Sequence, residues 1–209
     1  MTDLQAEPAN TTPAQLGFYM PAEWRTHEAT WLSWPKDPET WPDRVPQVQD
    51  IFLEMMAALA PNEIVNLLVD DKATEQAVRA RCTFAGTENL RFHRVPTVDS
   101  WIRDYGPNFL VKGQLSDKMS DKLTYNDWIF NAWGNKYEEL TKDDSVPQRL
   151  ENLLKAPRFE PGIVMEGGSI DVNDAGCVLT TEQCLLNPNR NPHLNKLQIE
   201  QYLKDYLGV

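Results

Sequence analysis

Two acids, an arginine and an indole fall within nine residues at Asp99-Ser100-Trp101-Ile102-Arg103-Asp104-Tyr105-Gly106-Pro107. A Gly-Pro step closes the stretch, and a short apolar strand, Asn108-Phe109-Leu110-Val111, follows at once. Charge is costly to bury, so such a cluster beside a strand is either a paired structural network or a ligand site. Asp104 is expected at the strand-to-turn edge, where side chains are commonly offered to ligands. An Asp104–Arg103 pair capping a turn accounts for the same residues, because structural ion pairs also perturb charges. The nine residues leave both readings open.

A second stretch has similar character. In Ile163-Val164-Met165-Glu166-Gly167-Gly168-Ser169-Ile170-Asp171-Val172 an acid stands between an apolar strand and a Gly-Gly step. Paired glycines permit positive φ and close backbone approach. Trp24, Trp31, Trp34 and Trp41 crowd one N-terminal region of a chain with seven tryptophans. Indoles mean core or interface, and they also make the best faces for cations.

The totals narrow the partners. The chain has 209 residues, 41% hydrophobic and 24% charged, as expected of a globular protein with a real core. Its net charge of −11, with no basic stripe, argues against nucleic acid and would draw in a small cation. No apolar run approaches the roughly 20 residues of a membrane helix, and no basic-then-apolar leader opens the chain. Three cysteines, Cys82, Cys177 and Cys184, suggest reduced thiols and a cytoplasmic address.

The elements that must carry these groups can be read in order. Residues 1–16 are polar and Pro-bearing, expected as a mobile tail, and a domain spans 17–209. Ala29 to Pro35 predicts a buried strand. Lys36 to Pro42, with Glu39 and Trp41, predicts a loop. Val45 to Ala60 repeats apolar residues at helical spacing, and Ile64-Val65-Asn66-Leu67-Leu68-Val69 predicts a strand buried on both faces. Asp70-Asp71 is expected to cap a helix over about 72–82, and Leu90 to Val95 alternates as a strand. Gly113 to Asp121 is expected as a hairpin tip and Leu123 to Phe130 as a strand. Ser145 to Leu154 reads as a helix. A hairpin is predicted around Asn173-Asp174-Ala175-Gly176, with Cys177 to Thr181 as its return strand and Cys184 at a strand end. A last helix over 194–207 is expected to be capped by Gly208.

Five stretches together resemble one family, the agmatine deiminases of the guanidine-modifying or pentein superfamily. They are Gly17-Phe18-Tyr19-Met20-Pro21-Ala22-Glu23-Trp24 with His27, then Thr30-Trp31-Leu32-Ser33-Trp34-Pro35 with Trp41. Trp101 to Pro107 and Phe130-Asn131-Ala132-Trp133-Gly134 follow. The last runs from Glu166-Gly167-Gly168-Ser169-Ile170 to Cys184-Leu185-Leu186-Asn187-Pro188-Asn189-Arg190-Asn191-Pro192. The resemblance implies an α/β propeller of β-β-α-β blades, of which this chain holds about three of five. It implies hydrolysis of agmatine to N-carbamoylputrescine and ammonia, a step in putrescine and polyamine synthesis, through a cysteine-bound amidino intermediate and without metal or organic cofactor.

That chemistry suits the residues. Carboxylates fix the plane of a guanidinium, and a thiolate is the effective nucleophile. By resemblance, Asp104 grips the guanidinium and Trp101 walls it. Glu166 orients the catalytic histidine and Gly167 binds substrate, while Trp34 and the Glu39 loop rim the aliphatic arm and distal amine. Arg103 is expected to be a structural partner of the site.

The family's His-x-Asp motif and C-terminal cysteine have no counterpart here. His93 is read as a packing residue, His27 as bracing the tryptophan loop and His193 as opening the last helix. Cys82, Cys177 and Cys184 are read as non-nucleophilic. The sequence is therefore expected to be a truncated or split form, inactive alone, that forms a homodimer or meets a complementing C-terminal half. The alternatives are a peptidyl-arginine deiminase-type enzyme and a non-catalytic guanidinium-binding fragment. The acidic and aromatic rim favours an amine-ended ligand.

Overall fold

The structure, a computed structural model, describes residues 11–113 and 122–209. The chain divides into two compact units. One gathers the residues up to Glu23, Pro107–Ile129 and Glu151–Val209, and the other holds Trp24–Gly106 and Phe130–Leu150.

The second unit is built on three parallel strands, β1 (Ala29–Ser33), β2 (Ile64–Val69) and β3 (Leu90–Arg94), in the order β1-β2-β3. The register pairs Leu32 with Leu67 and Leu67 with Phe92. Helices α1 (Val45–Leu59) and α2 (Lys72–Arg81) connect the strands. A central parallel strand is covered on both faces, which is why β2 is an apolar run. Val65 and Leu67 are fully buried and pack with Met56 of α1, Val78 of α2 and Trp34. Each such side chain contributes about 1.5–3 kcal/mol by leaving water. Asp71 starts α2 by accepting the Thr74 N–H at 2.7 Å, as its position predicts. Shorter elements of this unit include the helical turn α3 (Ile102–Tyr105), the single turn α4 (Ala132–Asn135) and the 3-10 segments Thr87–Asn89 and Glu138–Ser145.

The first unit carries two sheets. Strands β4 (Asn108–Val111) and β5 (Leu123–Asn126) are antiparallel, and β6 (Arg158–Phe159), after helix α5 (Val146–Leu154), joins β5 in parallel. Strands β7 (Ile170–Val172) and β8 (Val178–Thr180) form the hairpin expected around Asn173 to Gly176. A short turn α6 (Glu182–Leu185) leads to the last helix, α7 (Lys196–Leu207). Asn195 and Gln198 start α7 with a reciprocal capping box. Gly208 ends it in the left-handed region at φ 69°, with its N–H on the Lys204 carbonyl. The apolar face of α7, Ile199, Leu203 and Leu207, packs on Leu110, Trp128 and Met165.

Several elements differ from expectation. The strand expected over Leu123 to Phe130 stops at Asn126, and only Ile129 continues, through a bridge to Val164. The Arg158 side chain caps that interruption with a 2.6 Å bond to Asp127. Cys184 lies in the helical turn α6 rather than at a strand end. The hairpin tip expected at Gly113 to Asp121 lies, Gly113 apart, outside the described residues. So do residues 1–10 of the expected tail, and within its remainder Ala14–Leu16 forms a 3-10 turn. Both units mix α and β, and no sheet closes on itself among the described residues. No helix of the described residues is long and apolar enough to cross a membrane.

Candidate functional site

Asp104 does not sit on a strand edge. It lies in the four-residue turn α3, too short to hold itself together by helical hydrogen bonds alone. Buried acids hold the segment leading into it. Asp143, 1% exposed, accepts the backbone N–H of Val98 at 2.6 Å and of Asp99 at 3.0 Å. Burial raises its carboxyl pKa, opposed by those two donors. Asp99, also buried, accepts from the Ser100 N–H at 2.7 Å and from the Thr40 hydroxyl at 2.6 Å. The carbonyl of Asp99 accepts from Ser33 and from the Tyr105 hydroxyl at 2.7 Å. Burial drives that phenol well above its ordinary range. Gly106 closes the turn where a Cβ would lie 2.3 Å from the Ile102 carbonyl oxygen, so only glycine fits.

The same network sets the indoles. Thr40, bound to Asp99, fixes the loop carrying Trp41, and Trp41 stacks on Trp101 with ring centroids 5.6 Å apart. Trp101 remains 37% exposed, a large apolar face left in reach of solvent. Trp133 meets Trp101 edge-on at 6.2 Å, and its Nε1–H donates to Asp104 Oδ2 at 3.0 Å. The Trp41 Nε1–H is buried and has no hydrogen-bond partner. A carboxylate bonded to the first of three packed indoles suits a cation that is flat, or apolar along part of its length.

Trp133 owes its position to an unusual backbone. Ala132, Trp133 and Asn135 have φ of 50°, 58° and 58°, and Gly134 has 89°. Left-handed backbone costs non-glycine residues about 1–2 kcal/mol each, most clearly bulky ones. The turn is held by Asn131, whose side chain accepts from the Gly134 N–H at 2.8 Å and whose carbonyl accepts from Asn135 at 2.6 Å.

Glu166 belongs to the other unit. It follows the bridge strand at Val164 and caps the 3-10 turn Gly167–Ser169, with the Ser169 hydroxyl on its carbonyl at 2.7 Å. Its side chain is 3% exposed. Oε1 accepts from Arg190 Nε at 2.6 Å, and Oε2 is buried without a partner. Asn191, next in the chain, donates to and accepts from the backbone of Val164 at 2.8 and 2.9 Å. That double bond ties the Asn187 to Pro192 loop to the strand before Glu166.

The remaining expected residues disperse. Trp34 is 6% exposed and packs edge-on against Phe52 in the second unit's core, so it is a core side chain. Glu39 is exposed in a turn whose N–H bonds Asp37. Gly167 is buried directly after Glu166, and Arg103 is exposed. His93 stacks on Trp31 and bonds Asn66 at 2.8 Å, with its pKa lowered by burial and by Arg91. His27 pairs with Glu63 at 3.4 Å. Burial raises the Cys82 thiol pKa, and its Sγ faces the Val78 carbonyl. No three His, Cys, Asp or Glu side chains converge as a metal site among the described residues. A cavity of about 440 Å³ in the first unit, bordered by Asp174, Cys177 and Lys204, contains none of the expected site residues.

Two anchors were not expected from the sequence. Trp133 appeared only inside the Phe130 to Gly134 stretch, and Arg190 only inside a turn-rich loop. Gly134 was the one visible sign of the left-handed turn.

Comparison with known proteins bears on this arrangement. A family model described as Porphyromonas-type peptidyl-arginine deiminase matches residues 19–209. The chain is 38% identical over 204 residues to the agmatine deiminase of Medicago truncatula, covering 95% of this chain and 53% of that protein. It is 38% identical to the agmatine deiminase of Ectopseudomonas mendocina, with 95% and 53% covered. The solved structure of the agmatine deiminase of Enterococcus faecalis superposes with a TM-score of 0.85 at 34% identity, covering 97% of this chain and 54% of that one. The chain thus spans about half the length of the curated relatives it matches.

Proposed function

The chain belongs to the Porphyromonas-type peptidyl-arginine deiminase family, and from that premise we propose that it carries the guanidinium-holding part of an agmatine deiminase. The observation that carries the reading is the Asp104 carboxylate with one oxygen bonded by the Trp133 indole N–H, Trp133 in turn meeting Trp101, which stacks on Trp41. In this reading Asp104 accepts guanidinium N–H bonds and holds the plane of the group, while Trp101 provides the wall beside it. Glu166, next to Gly167, orients the histidine that moves protons. Glu39 marks the loop toward the distal amine. Trp34 supports that loop from within the core. The overall reaction consumes agmatine and water and yields N-carbamoylputrescine and ammonia.

The thiolate that attacks the guanidinium carbon is assigned to a cysteine outside this set. Cys82 is packed against helix α2 with a raised pKa, the wrong direction for a nucleophile. Cys177 and Cys184 sit on the β8 hairpin and in α6. By this reading the 209 residues bind the guanidine without turning it over alone; they pair as a homodimer or meet a complementing polypeptide, and only the latter, bearing the family's histidine and cysteine, restores turnover. We read the sheets as about three of the five blades of a pentein-type α/β propeller. The three unpaired thiols support a cytoplasmic setting.

Calorimetry with agmatine tests the reading. The parent should bind, and Asp104→Asn should weaken binding by about 1.5–3 kcal/mol, the value of a charge-assisted hydrogen bond. Equal affinity in parent and variant refutes it. The family's description gives a second reading, a peptidyl-arginine substrate. An arginine amide that binds more tightly than agmatine would favour it.

A further inference from the structure

We infer that Trp133 is a positioning residue for guanidine recognition: its indole N–H holds Asp104 in its binding rotamer, and the left-handed turn at Ala132 to Asn135 exists to aim that N–H. The inference rests on the role proposed for Asp104 and extends it to a residue that would not touch substrate atoms through its nitrogen.

Three observations carry it. Nε1 lies 3.0 Å from Asp104 Oδ2, within ordinary hydrogen-bond distance for an indole donor. The ring is boxed on its other sides by aromatic edges, Phe130 at 5.3 Å, Tyr137 at 5.9 Å and Trp101 at 6.2 Å. These contacts leave the indole little freedom to turn away. The backbone beneath is strained at Ala132, Trp133 and Asn135 together, where local preference would place ordinary turn geometry. Such strain persists only where surrounding contacts over-determine it, and here Asn131 supplies two of them. A tryptophan that served only as core filling would need neither the left-handed backbone nor a carboxylate on its nitrogen.

The arrangement also divides the carboxylate. An indole N–H is a donor without formal charge, so this bond fixes one oxygen without itself cancelling the negative charge of Asp104. A lysine or arginine in the same place would fix the rotamer and cancel the charge.

Two measurements on the full chain test the inference. The first uses no ligand. The Trp133 indole N–H, assigned in the parent by through-bond NMR correlation to its own backbone, should exchange with water about tenfold or more slowly in the parent than in Asp104→Ala, which corresponds to roughly 1.4 kcal/mol for the bond. Equal exchange rates overturn the inference, and this reading stands even if Trp133→Phe fails to fold. The second is a cycle of agmatine dissociation constants for the parent, Trp133→Phe, Asp104→Asn and the double variant. Trp133→Phe should weaken binding about tenfold in the parent and less than threefold in the Asp104→Asn background. A merely structural role would give the same factor in both backgrounds and would overturn the inference alone. Unchanged binding in Asp104→Asn overturns the functional reading, and the inference with it.

Discussion

Removing the guanidinium from Arg190 should destabilise the first unit more than a surface charge change would. Arg190 and Glu166 form an ion pair at 2.6 Å with side chains 9% and 4% exposed, so solvent screens neither partner well. Arg190→Met keeps a long apolar stem and deletes the charge. Glu166 would then hold a buried carboxylate with Oε2 already unpartnered and Oε1 newly so. Breaking a buried pair by removing one partner costs about 3–5 kcal/mol. For a chain of this size each kcal/mol moves the melting temperature by about 2–4 °C, so the variant should melt roughly 6–20 °C below the parent. Adding Glu166→Gln removes the stranded charge, and the double variant should regain most of the loss, because replacing both partners is often near neutral. Thermal unfolding by circular dichroism, with urea midpoints at unchanged slope, reads both effects. A shift under about 2 °C in Arg190→Met would refute the reasoning. So would a double variant no more stable than the single one.

Two further predictions concern the frame. Gly208→Ala forces a side chain to φ 69°, with its Cβ 2.7 Å from the Phe18 carbonyl oxygen and 2.9 Å from Tyr19 Cβ. Strain and clash together should cost at least about 2 kcal/mol, read as a lower urea midpoint. Asp143 has a carboxyl raised above its ordinary 3.8 by burial, so above that pH the folded state keeps a proton the unfolded chain has lost. Its contribution to stability is therefore fully present at low pH and falls as pH rises through the folded pKa. Asp143→Asn should abolish that slope, so the stability gap between parent and variant narrows with rising pH. A constant gap in urea titrations across the series would contradict the assignment.

How far the chain could be read from its residues depended on how local the cause was. β2 announces itself because six consecutive apolar-rich residues have no other soluble fate. α2 announces its start through the Asp70-Asp71 pair, of which Asp71 acts within three residues, whereas the Asn195 cap of α7 was not read and the helix starts at Lys196 rather than Leu194. The turn holding Asp104 gave no such sign. Four residues carry no period, and the acid that sets the turn, Asp143, lies 44 residues beyond Asp99. The left-handed turn at Trp133 was hidden for a related reason. Gly134 signals one positive φ, but the values at Ala132 and Asn135 follow from the Asn131 bracket rather than from the residues themselves. The family resemblance puts Trp34 at the rim of the site. Phe52 on α1 instead draws it into the core, where a large apolar ring gains more by burial. Arg190 was missed because an arginine in a turn-rich loop is ordinarily solvated. The two Asn191 bonds to Val164, 27 residues away, help bring the loop against Glu166.

An indole N–H is among the donors to Asp104 and a guanidinium holds Glu166, and under the proposed function that difference would give the two carboxylates different work. Asp104 is fixed by an indole N–H, which brings no formal charge. Glu166 is fixed by a guanidinium at 2.6 Å, which balances its charge inside the protein. An acid already neutralised at that distance adds little to the hold on a second cation, since the fields of carboxylate and arginine largely cancel beyond a few ångströms. It remains a good acceptor through Oε2, suited to orienting a neutral N–H donor such as an imidazole. Binding and orientation should therefore separate under mutation. Glu166→Gln keeps the side chain's shape and should change the agmatine dissociation constant less than threefold, whereas Asp104→Asn should raise it more than tenfold. If titration calorimetry found the two substitutions equally damaging to binding, the charge-balanced acid would have to grip the cation directly, and this division of labour would be wrong.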